Sequence, residues 1–111
     1  MLTKDELPFC PVAVTVGLIG NKWKLLIMRN LLAKPNRFTE LRKTIPGISQ
    51  KVLTDNLRSM EQDGIITRTV FAEVPPRVEY SLNELGQTMR PIISAMEHWG
   101  NGYQETYKDN Q

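Results

Sequence analysis

A chain of 111 residues suffices for one small domain, and its net charge of +2, from 14 Lys and Arg against 12 Asp and Glu, does not by itself point to any partner. A single Cys and a single His exclude a disulfide framework and a multidentate metal site within one chain. No apolar run is long enough to span a membrane, and the charged N-terminal segment is no signal peptide, so a cytoplasmic protein with no membrane partner is expected.

In chain order, Pro11 to Ile19 reads as a first helix. Pro11 is a favourable first helical residue, which makes Cys10 the N-cap, and Val12, Val16 and Ile19 form an apolar stripe. Asn21 is placed to cap a second helix in which Trp23, Leu26, Ile27 and Leu31 recur at helical spacing. A shorter helix, Phe38 to Lys43, follows. The turn Ile45-Pro46-Gly47-Ile48 then delivers the chain to Ser49, the N-cap of a helix over Gln50 to Asp63 that Gly64 ends.

That last helix has two distinct faces. At about 100° per residue, Leu53, Leu57 and Met60, flanked by Val52, fall on one side and anchor it. Lys51, Thr54, Asp55, Arg58 and Gln62 fall on the other, with Gln50 in the first turn. Amides, hydroxyls and cations together suit base edges and phosphates, although any amphipathic surface helix has a polar face.

Past Gly64 the period changes. Ile65 to Phe71 and Arg77 to Leu82 are rich in β-branched residues and flank Ala72-Glu73-Val74-Pro75-Pro76, which predicts a β-hairpin with a stiff tip. Arg77 is best placed to reach a phosphate or the minor groove and Arg68 second, the other reading of Arg77 being an ion pair with Glu79 or Glu73. From Leu85 onward, Leu85, Met89, Ile92, Met96, Trp99 and Tyr103 recur at alternating four- and three-residue steps, which predicts one long helix. Its cap is Asn83, or Ser81 one register earlier, and Pro91 should bend it near Gln87.

The order of elements is that of a winged helix-turn-helix, mainly α with a small β-hairpin and a long C-terminal helix. The helix-turn-helix spans about 21–63, the wing about 65–82, and the dimerisation helices about 11–19 and 83–107, all in a single domain over 1–111. Residues 1–60 carry ten basic against four acidic residues and the remainder four against eight, so one half suits a polyanion and the other a partner chain. So small a domain cannot easily bury the long stripe against its own core. Self-association through Val12, Val16, Ile19, Met89, Ile92, Met96, Trp99 and Tyr103 is therefore expected, and a two-fold dimer would read half-sites roughly 34 Å apart.

Cys10-Pro11-Val12, Leu18 to Ile27, Arg37-Phe38-Thr39-Glu40-Leu41, Ile45 to Leu53 and Pro75 to Leu82 together resemble the HxlR family of bacterial transcription regulators, over about Cys10 to Tyr103. The resemblance implies a homodimeric winged-helix regulator that binds double-stranded operator DNA as repressor or activator, with Ser49, Gln50, Lys51, Thr54 and Arg58 facing DNA and Arg77 in the wing. Some members respond to quinones, aldehydes or disulfide stress through an N-terminal cysteine. Cys10 stands at a helix N-terminus, where the dipole favours a thiolate, so it is the candidate sensor of electrophiles or oxidants. The other reading of Cys10 is a small buried hydrophobe. Members that use two cysteines per subunit differ from this chain, in which a disulfide could only join Cys10 to its symmetry mate or to a small thiol.

No catalytic residue, metal or cofactor is expected: the phosphate-cradling and dinucleotide glycine motifs are absent, and Ser, His and Asp show no nucleophilic arrangement. The other readings are a winged-helix protein–protein interaction module without specific DNA binding and, more distantly, a thiol-reactive enzyme built on Cys10. A small-molecule effector would sit among Trp23, Met28, Met96 and Trp99.

Overall fold

The structure is a computed structural model and describes residues 10–107. Its elements are α1 (Pro11–Ile19), α2 (Lys22–Ala33), α3 (Phe38–Thr44), α4 (Gln50–Gln62), β1 (Ile66–Phe71), β2 (Arg77–Leu82), α5 (Glu84–Gln87) and α6 (Arg90–Tyr107). Side chains set several of the boundaries. Pro11 opens α1 behind Cys10, and Asn21 Oδ1 accepts from Lys24 N at 2.8 Å to open α2. Glu40 reaches back to the Arg37 amide at 2.9 Å to secure the start of α3. Asn83 Oδ1 accepts from Gly86 N, which makes Asn83 rather than Ser81 the cap of α5.

The core is one cluster. Ile27 and Met28 of α2, Leu41 of α3, Ile45 from the turn, Leu53, Leu57 and Met60 of α4 and Ile65 before the hairpin are all fully buried. The two strands pair antiparallel, Ile66 opposite Leu82 through Phe71 opposite Arg77. Asn36, between α2 and α3, adds a single bridge to Tyr80, exchanging backbone hydrogen bonds of 2.9 and 2.8 Å. Its side chain is buried and donates to Lys34 O at 2.8 Å, so this polar residue ties the hairpin to the helices.

The C-terminal stripe is not one continuous helix. The chain closes α5 at Gln87, turns through Thr88 and Met89, and restarts as α6 at Arg90. Pro91 has no amide to donate to Gln87, and its ring excludes that carbonyl, so the helix is broken where a bend was expected. The tighter bonds Thr88 N to Leu85 O and Met89 N to Gly86 O carry the chain across. The break has a packing consequence. Met89 drops into the core, as does Ile19 of α1, so these two residues, expected at a subunit interface, belong to the chain's own interior. Beyond them α6 packs on α2 and buries only Ile93. The Cα radius of gyration, 15.7 Å, exceeds the roughly 13 Å of a compact 100-residue domain.

Candidate nucleic-acid interface

The α3–turn–α4 unit is fixed by local chemistry. Gly47 adopts φ +79°, which lets the chain reverse between Ile45 and Ile48, both buried. Ser49 Oγ then accepts from Val52 N at 3.1 Å and starts α4. With Leu53, Leu57 and Met60 held in the core, Gln50, Lys51, Asp55 and Arg58 are exposed and Thr54 half-buried on the outward side. Two bonds from α2 steady the flank: Asn21 Nδ2 donates to Asn56 Oδ1 at 3.3 Å, and Lys24 Nζ to Ser59 Oγ at 2.9 Å. Lys51 Nζ lies 2.8 Å from Asp55 Oδ2, and that hydrogen bond, with the carboxylate's charge, raises the lysine pKa.

Strand parity decides which wing residues face α4. Ile66, Arg68 and Val70 share one face of the hairpin with Tyr80, Val78 and Leu82; Thr67, Thr69 and Phe71 share the other with Ser81, Glu79 and Arg77. Arg77 is thus turned away from the α4 side. Its guanidinium pairs with Glu73 and Glu79, both at 3.1 Å, and lies 4.0 Å over the Phe71 ring. The ion-paired reading left open in the sequence is the observed one, with two carboxylates holding the Arg77 guanidinium.

Arg68 is on the face toward α4. With Thr54, Leu57, Arg58 and Glu61 of α4 and Tyr80 of β2 it lines a cleft of about 340 Å³ between helix and wing. Sequence patterning ranks it second, because the parity that separates the two arginines depends on the hairpin register.

A sequence profile of the HxlR-like helix-turn-helix family matches residues 18–108. The chain belongs to that family. It is 46% identical over 107 residues to YdeP, an uncharacterized HTH-type transcriptional regulator of Bacillus subtilis, covering 96% of this chain and 80% of the relative. Among solved structures it is similar to the oxidised form of the redox regulator HypR, with TM-score 0.81, 45% identity, and coverage of 84% of this chain and 96% of that one. It is also similar to the reduced form of the transcriptional regulator YodB of B. subtilis, with TM-score 0.75, 36% identity, and coverage of 89% and 98%. The fold is a winged helix-turn-helix, mainly α with one hairpin, and the protein is a transcriptional regulator of helix-turn-helix type.

This HxlR-like chain carries a second surface. Val12 and Val16 of α1 and Ile92, Met96, Trp99 and Tyr103 of α6 are exposed, Val12 at 70% and Trp99 at 71%. A groove between the two helices is lined by Val12, Val16, Ile92 and Met96 among others. Trp99, Tyr103 and Tyr107 form an aromatic ladder with centroid spacings of 5.5 and 4.7 Å. Of the four residues expected around an effector, Met28 is fully buried, Trp23 packs against the core beneath Lys22, Trp99 stands outward on α6, and Met96 lines the groove between α1 and α6. Cys10 is exposed at the start of α1, so it is not the buried hydrophobe of the other reading, and its side chain makes no capping hydrogen bond. Among the described residues no group of three or more His, Cys, Asp or Glu could hold a metal, and no helix is long and apolar enough to cross a membrane.

Proposed function

We propose that two copies of this chain form a two-fold dimer that binds an inverted-repeat operator in double-stranded DNA, within the cytoplasm, through the outward face of α4. The observation that carries this reading is the division of α4 itself: Leu53, Leu57 and Met60 fix the helix, and Ser49, Gln50, Lys51, Thr54 and Arg58 are left on the side away from the core. A helix docked in the major groove brings its N-terminal turn closest to the bases. Gln50 is there, with an amide that matches adenine. Ser49 and Lys51 lie beside it, suited to phosphate oxygens, and Lys51 exchanges Asp55 for phosphate on binding. The exposed apolar residues of α1 and α6 support the dimer, since a contiguous apolar face of this kind needs a cover.

Cys10 is the switch in this account. Its thiol is exposed, and HypR and YodB, to which the chain is similar, were solved in oxidised and reduced states. With one cysteine per chain, a two-electron oxidant such as peroxide joins two Cys10 thiols, or one Cys10 and a small thiol, with loss of two protons as the oxidant is reduced.

The test is duplex binding of the native chain and Cys10→Ser under reducing and oxidising conditions, with Gln50→Ala alongside. The reading predicts tight binding by reduced native protein, weakened and less selective binding by Gln50→Ala, and a response to oxidant in the native chain alone. Binding to duplex no tighter than to a generic polyanion would overturn the DNA reading in favour of a protein-binding module. An identical oxidant response in Cys10→Ser would remove Cys10 as sensor.

A further inference from the structure

The basic side chains around α4 and the wing differ in whether they are already occupied. Lys51 is paired with Asp55, Arg77 with Glu73 and Glu79, and Lys34 with Glu40. Among the described residues, Arg58 and Arg68 have no ion pair, and they are brought from separate elements to the walls of one cleft. Two unpaired guanidinium groups sharing a cleft repel each other, and an anion placed between them relieves that repulsion.

The other lining residues define which anion. Thr54 and Tyr80 supply hydroxyl donors, Leu57 an apolar floor, and Glu61 a carboxylate that repels an anion approaching its side. Guanidinium forks match the oxygens of a phosphate bidentately, which a lysine would not do. Position along the helix points the same way. Arg58 lies about 12 Å along the α4 axis from Gln50, away from the turn that enters a groove first and toward its edge, where the backbone runs.

We propose that the cleft between α4 and the wing is a clamp for one backbone phosphate of the bound duplex, gripped by Arg58 and Arg68 together. The proposal rests on the reading of α4 as the DNA-binding helix. It makes Arg68 the wing residue that touches DNA, and gives Arg77 the different task of holding Glu73, Glu79 and Phe71 in place at the base of the hairpin tip. Glu61 limits the clamp, so the chain does not bind every polyanion indiscriminately.

The experiment measures duplex affinity across a salt series for the native chain, Arg58→Gln, Arg68→Gln, the double variant, Arg68→Lys and Glu61→Gln, on a selected operator and on unrelated duplexes. One shared phosphate predicts that Arg68→Gln weakens binding by the same factor on every duplex. The slope of log affinity against log salt falls by about 1 in the double variant, not about 2. Arg68→Lys recovers part of the affinity lost in Arg68→Gln, and Glu61→Gln tightens binding.

A fall of about 2 in the double variant assigns the arginines to separate phosphates and overturns the clamp. So does an unchanged affinity in Arg68→Gln, or a change in base preference, which would make Arg68 a minor-groove reader. Inorganic pyrophosphate titrated alone should give no saturable binding; saturable binding abolished by Arg68→Gln would make the cleft an effector site instead. If the native chain binds no duplex better than dextran sulfate, the regulator reading fails together with the clamp, an outcome distinct from each of the others.

Discussion

Ser49 shows how one residue can serve fold and function at once. Its Oγ accepts from Val52 N and caps α4, while its position at the mouth of that helix places it beside the proposed DNA backbone. The two roles separate by substitution. Ser49→Ala should cost about 1 kcal/mol of stability in urea denaturation through loss of the cap. Ser49→Asp should keep the cap and the stability, yet weaken duplex binding several-fold, because it sets a negative charge against phosphate. Glu40 makes a comparable claim on pH. The Arg37 amide hydrogen bond, and then Lys34, hold its pKa below its ordinary 4.5. A carboxyl with a depressed folded-state pKa contributes stability above its unfolded value and loses it as pH falls through the folded one. The stability difference between native protein and Glu40→Gln, measured by denaturation at several pH values, should therefore be full at neutral pH and shrink below about 4.5.

At the scale of elements, the helix-turn-helix was legible because its signals are local. Asn21, Ser49 and Gly64 mark boundaries through their own backbone chemistry, and the α4 faces follow from helical period alone. What escaped the sequence depends on contacts between distant segments. The Arg68–Arg77 division needs the hairpin register, the burial of Met89 needs the break before Pro91, and the bridge from Asn36 to Tyr80 joins residues with no shared pattern. Gly47 tests the turn itself. A Cβ there would touch nothing, so only its φ of +79° opposes substitution. Gly47→Ala should cost about 1–2 kcal/mol in unfolding free energy, with Gly47→Asn costing less. Equal stability of all three proteins would show that the turn does not require the left-handed conformation.

For the whole molecule, the proposed dimer assigns the basic half to the polyanion and the exposed apolar face to the partner copy. Charge separation was visible from composition by segment, and so was the apolar stripe. Which members of the stripe stay outside was not, since Ile19 and Met89 are claimed by the chain's own core. Met96, 48% exposed and lining the grooves beside both α1 and α2, is the sharpest probe of that face. Met96→Glu should yield a folded monomer in sedimentation, with operator affinity reduced roughly 100-fold as a two-site contact becomes a one-site contact. A dimer of unchanged affinity would place the interface elsewhere.

The most direct test of the central claim is selection of the reduced native chain against a library of random DNA duplexes. The account predicts enrichment of an inverted repeat whose half-sites are centred about one helical turn apart, roughly 34 Å. If no sequence is enriched, or if a single unpaired half-site is, the two-fold reader built on paired α4 helices is contradicted.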